Sequence, residues 1–316
     1  YEQRAPLERR ITKERVSFVT RRGATSLEFS CRGLGGKQAA SYSVIRAKFD
    51  DWLAREAEAQ GAFYINGIRV DDLVVRNGKV CGISAGEDSL EANVVILADG
   101  ANSLLGQKLG LVKPLQPKEF AVGAKEVIRL GRGTIEERFS LSGGEGCAWM
   151  FVGEPTGGGM GGGFLYTNED SVAVGIVATV SDVGYSGKSV AGLLDDFVSS
   201  PLIAPLIEGG ELCEYSAHLV PEGGLKMMPQ LYGHGVMLCG DAAAMVMNLG
   251  YVVRGMDLAI ESGRLAAETY IELAARHDFR PEALRLYRKK LESSFVLREM
   301  RRHRGAPKAF ASRGVF

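Results

Sequence analysis

The sequence predicts an α/β protein in which a mainly antiparallel α+β domain is inserted into a domain built on a parallel sheet. Two nearly continuous apolar runs, residues 92–98 and 236–239, have the length and composition of buried parallel strands. A turn of Asp and Gly follows each run. Between the two runs, alternating apolar and polar residues indicate several antiparallel strands. The two apolar runs therefore belong to one discontinuous domain.

Composition limits the classes of function. Of the 316 residues, 46% are hydrophobic and 24% are charged, which is ordinary for a globular protein. The formal net charge of zero gives no indication of nucleic acid binding. The uncharged run at residues 242–253 is too short to span a bilayer, and no signal peptide is visible. These features favour a cytoplasmic protein with at most peripheral membrane contact.

The sequence offers no metal site. The five cysteines contain no Cys-x-x-Cys pair, so an iron–sulfur cluster on this chain is not expected. The four histidines show no metal-ligand spacing. No convincing catalytic acid, base or nucleophile stands out, and none is named.

The amino-terminal part predicts a hairpin and a helix. Residues 14–20 and 26–30 alternate in polarity around an Arg-Arg-Gly turn. Residues 42–60 carry apolar side chains at helical spacing, with Arg46 near the start. Strand-like runs follow at 62–65, 70–76 and 79–84, the last two joined by an Asn-Gly turn typical of hairpins.

The inserted part predicts an antiparallel sheet. Its strand-like runs are residues 121–130, 137–141, 147–152, 163–166 and 171–180. The glycine-rich stretch 157–163 lacks the Lys-Ser/Thr of a phosphate-binding loop, so it predicts flexible backbone between strands. A short helix at 190–198 and a strand at 212–219 complete this part.

The carboxyl-terminal part holds the most informative stretch. After the strand at 236–239, Gly240 permits a sharp turn and Asp241 places a carboxylate at the carboxyl end of the strand. Gly250 and Gly255 lead into a helix predicted from Met256 to about residue 275. Asp257 is expected to cap this helix. A last helix, from 281 to about 304, carries many Lys and Arg residues, which form either a solvated face or a docking surface for an acidic partner.

This stretch resembles the Gly-Asp motif of FAD-dependent oxidoreductases with the p-hydroxybenzoate-hydroxylase-type fold. Gly-Asp-Ala-Ala at 240–243, Asn-x-Gly at 248–250 and Arg-Gly-Met-Asp at 254–257 are similar to the electron-transfer-flavoprotein:quinone oxidoreductases, and within them to the FixC-type dehydrogenases. Asp-Gly-x-x-Ser at 99–103 matches the family's second signature, and the segments 162–166 and 171–175 resemble the same branch.

The resemblance implies a Rossmann-like FAD-binding domain and a set of cofactor-binding residues. The expected FAD-binding residues are Arg46, Val70, Ala98, Asp99, Gly100, Gly240, Asp241, Gly250, Gly255 and Met256. For Arg46 the alternative is a surface pair with Asp50. Phe164 and Tyr166 either line a quinone or flavin-face site or pack in the core.

The resemblance also implies a domain division. Residues 41–112 and 230–304 form the FAD-binding domain, 1–40 and 113–229 the substrate domain, and 305–316 the start of a carboxyl-terminal region. The family's amino-terminal Gly-x-Gly-x-x-Gly element does not precede residue 14, so the FAD-binding domain is expected to be incomplete at its amino terminus and the chain to be an internal fragment.

The resemblance implies electron transfer as the function. Electrons would come from the subunits of an electron-transfer flavoprotein and pass to a quinone or a ferredoxin-like iron–sulfur subunit, at the inner face of the membrane. Two alternatives stay open: a reductase or monooxygenase of a small organic or isoprenoid substrate, similar to geranylgeranyl reductases, and a cofactor-free interaction fragment.

Overall fold

The computed structural model describes residues 5–30, 41–249 and 253–306. The strands in chain order are β1 (Leu7–Thr20), β2 (Gly23–Ser30), β3 (Tyr42–Val44), β4 (Asp72–Arg76), β5 (Lys79–Ala85), β6 (Asp88–Glu91), β7 (Val95–Leu97), β8 (Phe120–Arg129), β9 (Glu145–Gly153), β10 (Gly161–Thr167), β11 (Ser171–Thr179), β12 (Glu211–Pro221), β13 (Tyr232–Gly233), β14 (Val236–Leu238), β15 (Met247–Asn248) and β16 (Val253–Arg254). The α-helices are α1 (Arg46–Ala59), α2 (Leu104–Lys108), α3 (Arg132–Phe139), α4 (Val190–Val198), α5 (Ala204–Ile207), α6 (Met256–Ala274), α7 (Pro281–Ser293) and α8 (Phe295–Arg302).

The chain divides into two compact units. The first holds the described residues up to 66 together with 122–218, and the second holds 67–121 and the described residues from 219 onwards. Helix α1 therefore lies in the first unit. The predicted division into an FAD-binding and a substrate domain stays a prediction.

The first unit is organised by a mainly antiparallel sheet. Its strand order is β12-β8-β11-β10-β9-β1-β2, and β3 pairs with β1. Only the pairing of β1 with β9 is parallel among the pairings whose register the described residues give for this sheet. One face of the sheet packs on α3 and α4 through a buried cluster that includes Trp149, Phe151 and Leu194. The predicted hairpin of residues 14–20 and 26–30 is confirmed by the register of β1 and β2.

A buried arginine ties helix α3, the start of β9 and the turn between β10 and β11 together in the first unit. Arg9 is 1% exposed. Its Nε donates to the carbonyl oxygen of Asn168 at 2.6 Å, Nη1 to that of Glu145 at 3.1 Å, and Nη2 to that of Glu169 at 2.8 Å. Glu136 supplies a carboxylate 3.4 Å from Nη1. The guanidinium is buried at little cost because its donors are paired.

Gly161 and Gly162 belong to strand β10, so the prediction of flexible backbone between strands is wrong for them, whereas Gly163 lies in a strand as the predicted run 163–166 expects. A Cβ at Gly161 would lie 2.0 Å from the carbonyl oxygen of Val177, and one at Gly162 would lie 2.3 Å from that of Phe151. A Cβ at Gly163 would lie 2.5 Å from the ring of Phe197. These glycines are required by close packing inside β10.

Two predicted strands of the first unit are absent. Residues 137–141 were expected to be extended, but Arg132–Phe139 form α3. The burial of Ile135 and Phe139, four residues apart, fixes one face of a helix. Residues 62–65 form no strand, and Phe63 is 97% exposed. The structure describes no strand that pairs with this segment.

The second unit contains the parallel pair. Its sheet has the order β13-β14-β7, in which β14 and β7 are parallel, and a separate antiparallel sheet has the order β4-β5-β6. The Asn77–Gly78 turn joins β4 and β5 as predicted. Helices α6, α7 and α8 cover a core that includes Met237, Leu258 and Leu284. The predicted single helix from 281 to 304 breaks at Ser294, whose hydroxyl accepts a hydrogen bond from the amide of Val296 at 3.1 Å.

Candidate functional site

The two Asp/Gly turns lie side by side at one sheet edge. Val236 of β14 pairs with Val95 of β7, and Leu238 pairs with Leu97. The amide of Cys239 donates to the carbonyl oxygen of Leu97 at 3.0 Å, which extends the parallel pairing to the strand ends. Ala98, Asp99 and Gly100 therefore leave the sheet next to Gly240 and Asp241. In open α/β sheets, ligands bind at this carboxyl edge.

The Gly240 turn is fastened to α6. Gly240 has φ of +60°, and a Cβ there would lie 3.4 Å from that of Ala259. Its amide donates to the Ser262 hydroxyl at 2.9 Å, and this hydroxyl donates to the carbonyl oxygen of Ala259 at 2.8 Å. Ser262 is fully buried. The bond sets Asp241 next to the first turns of α6.

Replacing Ser262 with alanine is expected to lower the free energy of unfolding of the second unit by about 1–3 kcal/mol, because the buried amide of Gly240 then lacks its acceptor. Chemical denaturation followed by circular dichroism measures this loss. Ser293→Ala is the matched control, because the Ser293 hydroxyl is exposed and bonds within its own helix. An equal effect of the two substitutions would contradict the role given to the Gly240 bond.

Asp99 has a local structural role. Its Oδ2 accepts a hydrogen bond from the amide of Leu105 at 3.2 Å, at the start of α2. Ala98 and Asp99 are exposed, and Gly100 has φ of +77° with open space where a Cβ would stand. The Asp-Gly turn thus combines a cap for a short helix with backbone that a ligand can approach closely.

The amino terminus of α6 begins at Gly255. The Gly255 carbonyl accepts from the amide of Ala259 at 2.8 Å, and Met256 is 37% exposed. Asp257 does not cap the helix as predicted; its Oδ2 accepts from Nε of Arg254 at 2.6 Å. Arg254 also lies 5.8 Å from the centre of the Phe295 ring, which ties the start of α6 to α8.

The remaining predicted residues are dispersed. Arg46 lies in the first unit and forms two hydrogen bonds of 2.9 Å with the Asp50 carboxylate. A surface pair with Asp50 was the alternative that the sequence left open for Arg46. Val70 is half-buried against the core of the second unit. Gly250 lies outside the described residues. Phe164 and Tyr166 pack on each other in β10, with ring centroids 5.4 Å apart.

A buried thiol lies beside the two turns. Burial, together with the nearby negative charge of Asp99, raises the pKa of Cys239 to about 11. The sequence predicted that Cys239 lies in the strand, but it did not predict which side chains surround the thiol. The bond from Gly240 to Ser262 gave no signal in the sequence either, since the two residues are 22 positions apart in the chain.

We expect Cys239 to resist alkylation at mildly alkaline pH, because a raised pKa leaves little of the reactive thiolate. The exposed Cys213 should react first under the same conditions. Iodoacetamide labelling of the native protein, with peptide mapping by mass spectrometry, gives the rate for each cysteine. Modification of Cys239 as fast as Cys213 would show that the turn region opens readily.

The residues at this edge fit a flavin dinucleotide. A carboxylate at the end of a parallel strand suits the hydroxyls of a ribityl or ribose chain, and the α6 amino terminus presents a positive dipole end to an electron-rich ring edge. Among the described residues, no group of three or more His, Cys, Asp or Glu could hold a metal ion. In the same residues, no helix is both long and apolar enough to cross a membrane.

Comparison with solved structures gives the class of fold. A geranylgeranyl bacteriochlorophyll reductase-like protein of Thermoplasma acidophilum superposes with a TM-score of 0.75 at 21% identity, covering 97% of this chain and 72% of that one. The myxobacterial FAD-dependent halogenase CndH superposes with a TM-score of 0.70 at 17% identity, covering 98% and 68%. The fold is therefore that of the Rossmann-like FAD-binding oxidoreductases and halogenases, and the predicted fold class is confirmed.

Sequence relatives give the family. YdiS of Escherichia coli K12, a probable electron transfer flavoprotein-quinone oxidoreductase, is 52% identical over 303 residues, which cover 96% of this chain and 71% of YdiS. The FixC protein of the same strain is 49% identical with the same coverage. No protein-family model matches the chain. The chain belongs to the FixC/electron transfer flavoprotein-quinone oxidoreductase family, and it is an FAD-dependent oxidoreductase.

Proposed function

We propose that the protein takes electrons from an electron-transfer flavoprotein and passes them to a quinone or to a ferredoxin-like iron–sulfur subunit. The proposal rests on one observation: two turns, Asp99-Gly100 and Gly240-Asp241, lie next to each other beside the start of α6. The description of the relative YdiS as a probable electron transfer flavoprotein-quinone oxidoreductase supports the donor and the quinone. A quinone acceptor would place the protein peripherally at the inner face of the membrane.

We propose that FAD is held at this edge. Asp241 accepts hydrogen bonds from the cofactor's polyol chain, Asp99 offers an exposed carboxylate, and Ala98 and Gly100 offer backbone that the cofactor can approach closely. Gly240 makes the turn that presents Asp241. The other contacts proposed within this unit are Val70, Gly250, Gly255 and Met256. Bound there, the isoalloxazine ring supplies reversible two-electron chemistry. The amides of Gly255 and Met256 stabilise negative charge at the ring edge, which raises the tendency to accept electrons.

The exposed face of α8 suits an acidic ferredoxin-like partner. Arg298 and Arg302 are exposed and make no ion pair with any described residue, whereas Arg301 and Arg288 pair with Glu292. Unpaired surface cations attract an acidic protein over a distance that ionic strength controls. Charge reversal at Arg298 and Arg302 should slow electron transfer at low salt, while Arg55→Glu on α1 should not.

The test of the function is the reduction of the protein-bound flavin. The visible absorption spectrum first shows whether FAD is present, and anaerobic mixing then compares reduced electron-transfer flavoprotein with NADH and NADPH. The proposal expects rapid bleaching of the flavin by the flavoprotein and reoxidation by a quinone. Rapid reduction by NAD(P)H, with reoxidation by an organic substrate, would instead favour a reductase or monooxygenase. Protein that stays colourless with added FAD would contradict the proposed FAD site.

A further inference from the structure

A cavity of about 790 Å³ lies in the first unit, away from the residues proposed for FAD. Its walls are the turn between β1 and β2, the turn at Glu154–Thr156, and α4 with the segment that follows it. Pockets of roughly 300–1,000 Å³ are the size that takes organic ligands. The cavity is therefore large enough to bind one.

The inner wall of the cavity is apolar. Leu193 and Phe197 of α4 are 3% and 4% exposed, and Pro155 is also buried. Val19 and Leu202 complete this wall and are half-buried. A hydrocarbon or aromatic body placed here would lose water contact on several sides, which is favourable at about 25 cal/mol per Å².

The rim of the cavity is charged, and its positive side chains outnumber its negative ones. Arg21 pairs with Glu154, with Nε 3.1 Å from Oε1, and Lys188 pairs with Asp196. Arg22 also lines the cavity but makes no ion pair within the part of the chain that the structure describes. Both carboxylates of the rim thus have a cationic partner, and one positive charge is left over.

We propose that this cavity binds an amphipathic organic anion, namely a carboxylate with an extended apolar body. The apolar body packs on Val19 and Leu202, which keep surface accessible to the cavity above the buried Leu193 and Phe197, and the carboxylate pairs with the guanidinium of Arg22. A cationic ligand is disfavoured, because it would have to displace Arg21 or Lys188 from its carboxylate. A neutral ligand would gain no bidentate pair with the guanidinium of Arg22.

A dansyl-labelled undecanoate is the probe that tests the proposal on the purified protein. Its fluorescence should rise on binding, and decanoate should displace it while neutral decanol should compete poorly. Arg22→Gln should weaken probe binding by about twofold to fivefold, as expected for the loss of a solvent-exposed ion pair. Pro201→Trp, at an exposed position on the cavity wall, should weaken binding by narrowing the cavity.

Arg55→Gln is the control, since Arg55 is an exposed arginine of α1 that pairs with Asp51. It should leave probe affinity unchanged, and circular dichroism melting should show all three variants folded. Equal displacement by decanol and decanoate would overturn the assignment of an anion. Full binding in Pro201→Trp, or no fluorescence change with the wild-type protein, would overturn the site. None of these outcomes depends on the presence of FAD.

Discussion

Replacing Asp241 with alanine should weaken FAD binding by about tenfold to a hundredfold. The carboxylate stands at the carboxyl end of β14, on a turn that Ser262 holds against α6. A hydrogen bond to a charged acceptor contributes about 1.5–3 kcal/mol, which corresponds to that range of affinity. Quenching of flavin fluorescence during titration measures the dissociation constant.

Two further variants make the Asp241 result specific. Asp241→Asn keeps the size of the side chain and a carbonyl acceptor, so it should recover part of the affinity. Asp88→Ala, at an exposed position of β6 in the same unit, should not change it. If Asp241→Ala binds FAD as tightly as the wild type does, the carboxylate is not a cofactor ligand.

Replacing Arg9 with methionine should lower the free energy of unfolding of the first unit by about 3 kcal/mol or more. Methionine fills much of the same space but offers no donor to the carbonyl oxygens of Asn168, Glu145 and Glu169. Each buried acceptor that loses its partner costs about 1–3 kcal/mol. Denaturant titration followed by the fluorescence of Trp149, in the core of this unit, reports the loss.

The neighbouring residue provides the control for Arg9. Arg10 lies in the same strand but is exposed. Arg10→Met should change stability by no more than about 0.5 kcal/mol. Similar midpoints for the two variants would show that the hydrogen bonds of Arg9 contribute little net stability. A changed denaturant slope would show that the substitution also alters how much surface is exposed on unfolding.

Elements that a short stretch of sequence specifies by itself were predicted correctly. The Asn77–Gly78 turn specifies its hairpin by itself, because both residues accept the left-handed conformation that the turn needs. The run at residues 236–239 is so apolar that it predicts a buried strand without any knowledge of the strands that pair with it. The two Asp/Gly turns, each at the end of such a strand, predicted the candidate site at the sheet edge.

Features that depend on distant neighbours were not predictable. The burial of Arg9 follows from three carbonyl groups more than a hundred residues away in the chain, as the separations of 136 to 160 positions show. Residues 137–141 were expected to be extended, but residues 137–139 belong to the helix Arg132–Phe139, whose buried side chains Ile135 and Phe139 are four positions apart. The bond from Gly240 to Ser262 needs the turn and the helix to be packed first.

The discontinuous second unit has a consequence for synthesis on the ribosome. Val95–Leu97 pairs with Val236–Leu238, so the early strand leaves the exit tunnel long before its partner exists. Most of the first unit, which ends near residue 218, is complete before that partner emerges. Domains generally fold as units during translation. The apolar strand Val95–Leu97 therefore stays unpaired in the nascent chain. We expect it to be accessible to chaperones until residue 238 has left the exit tunnel.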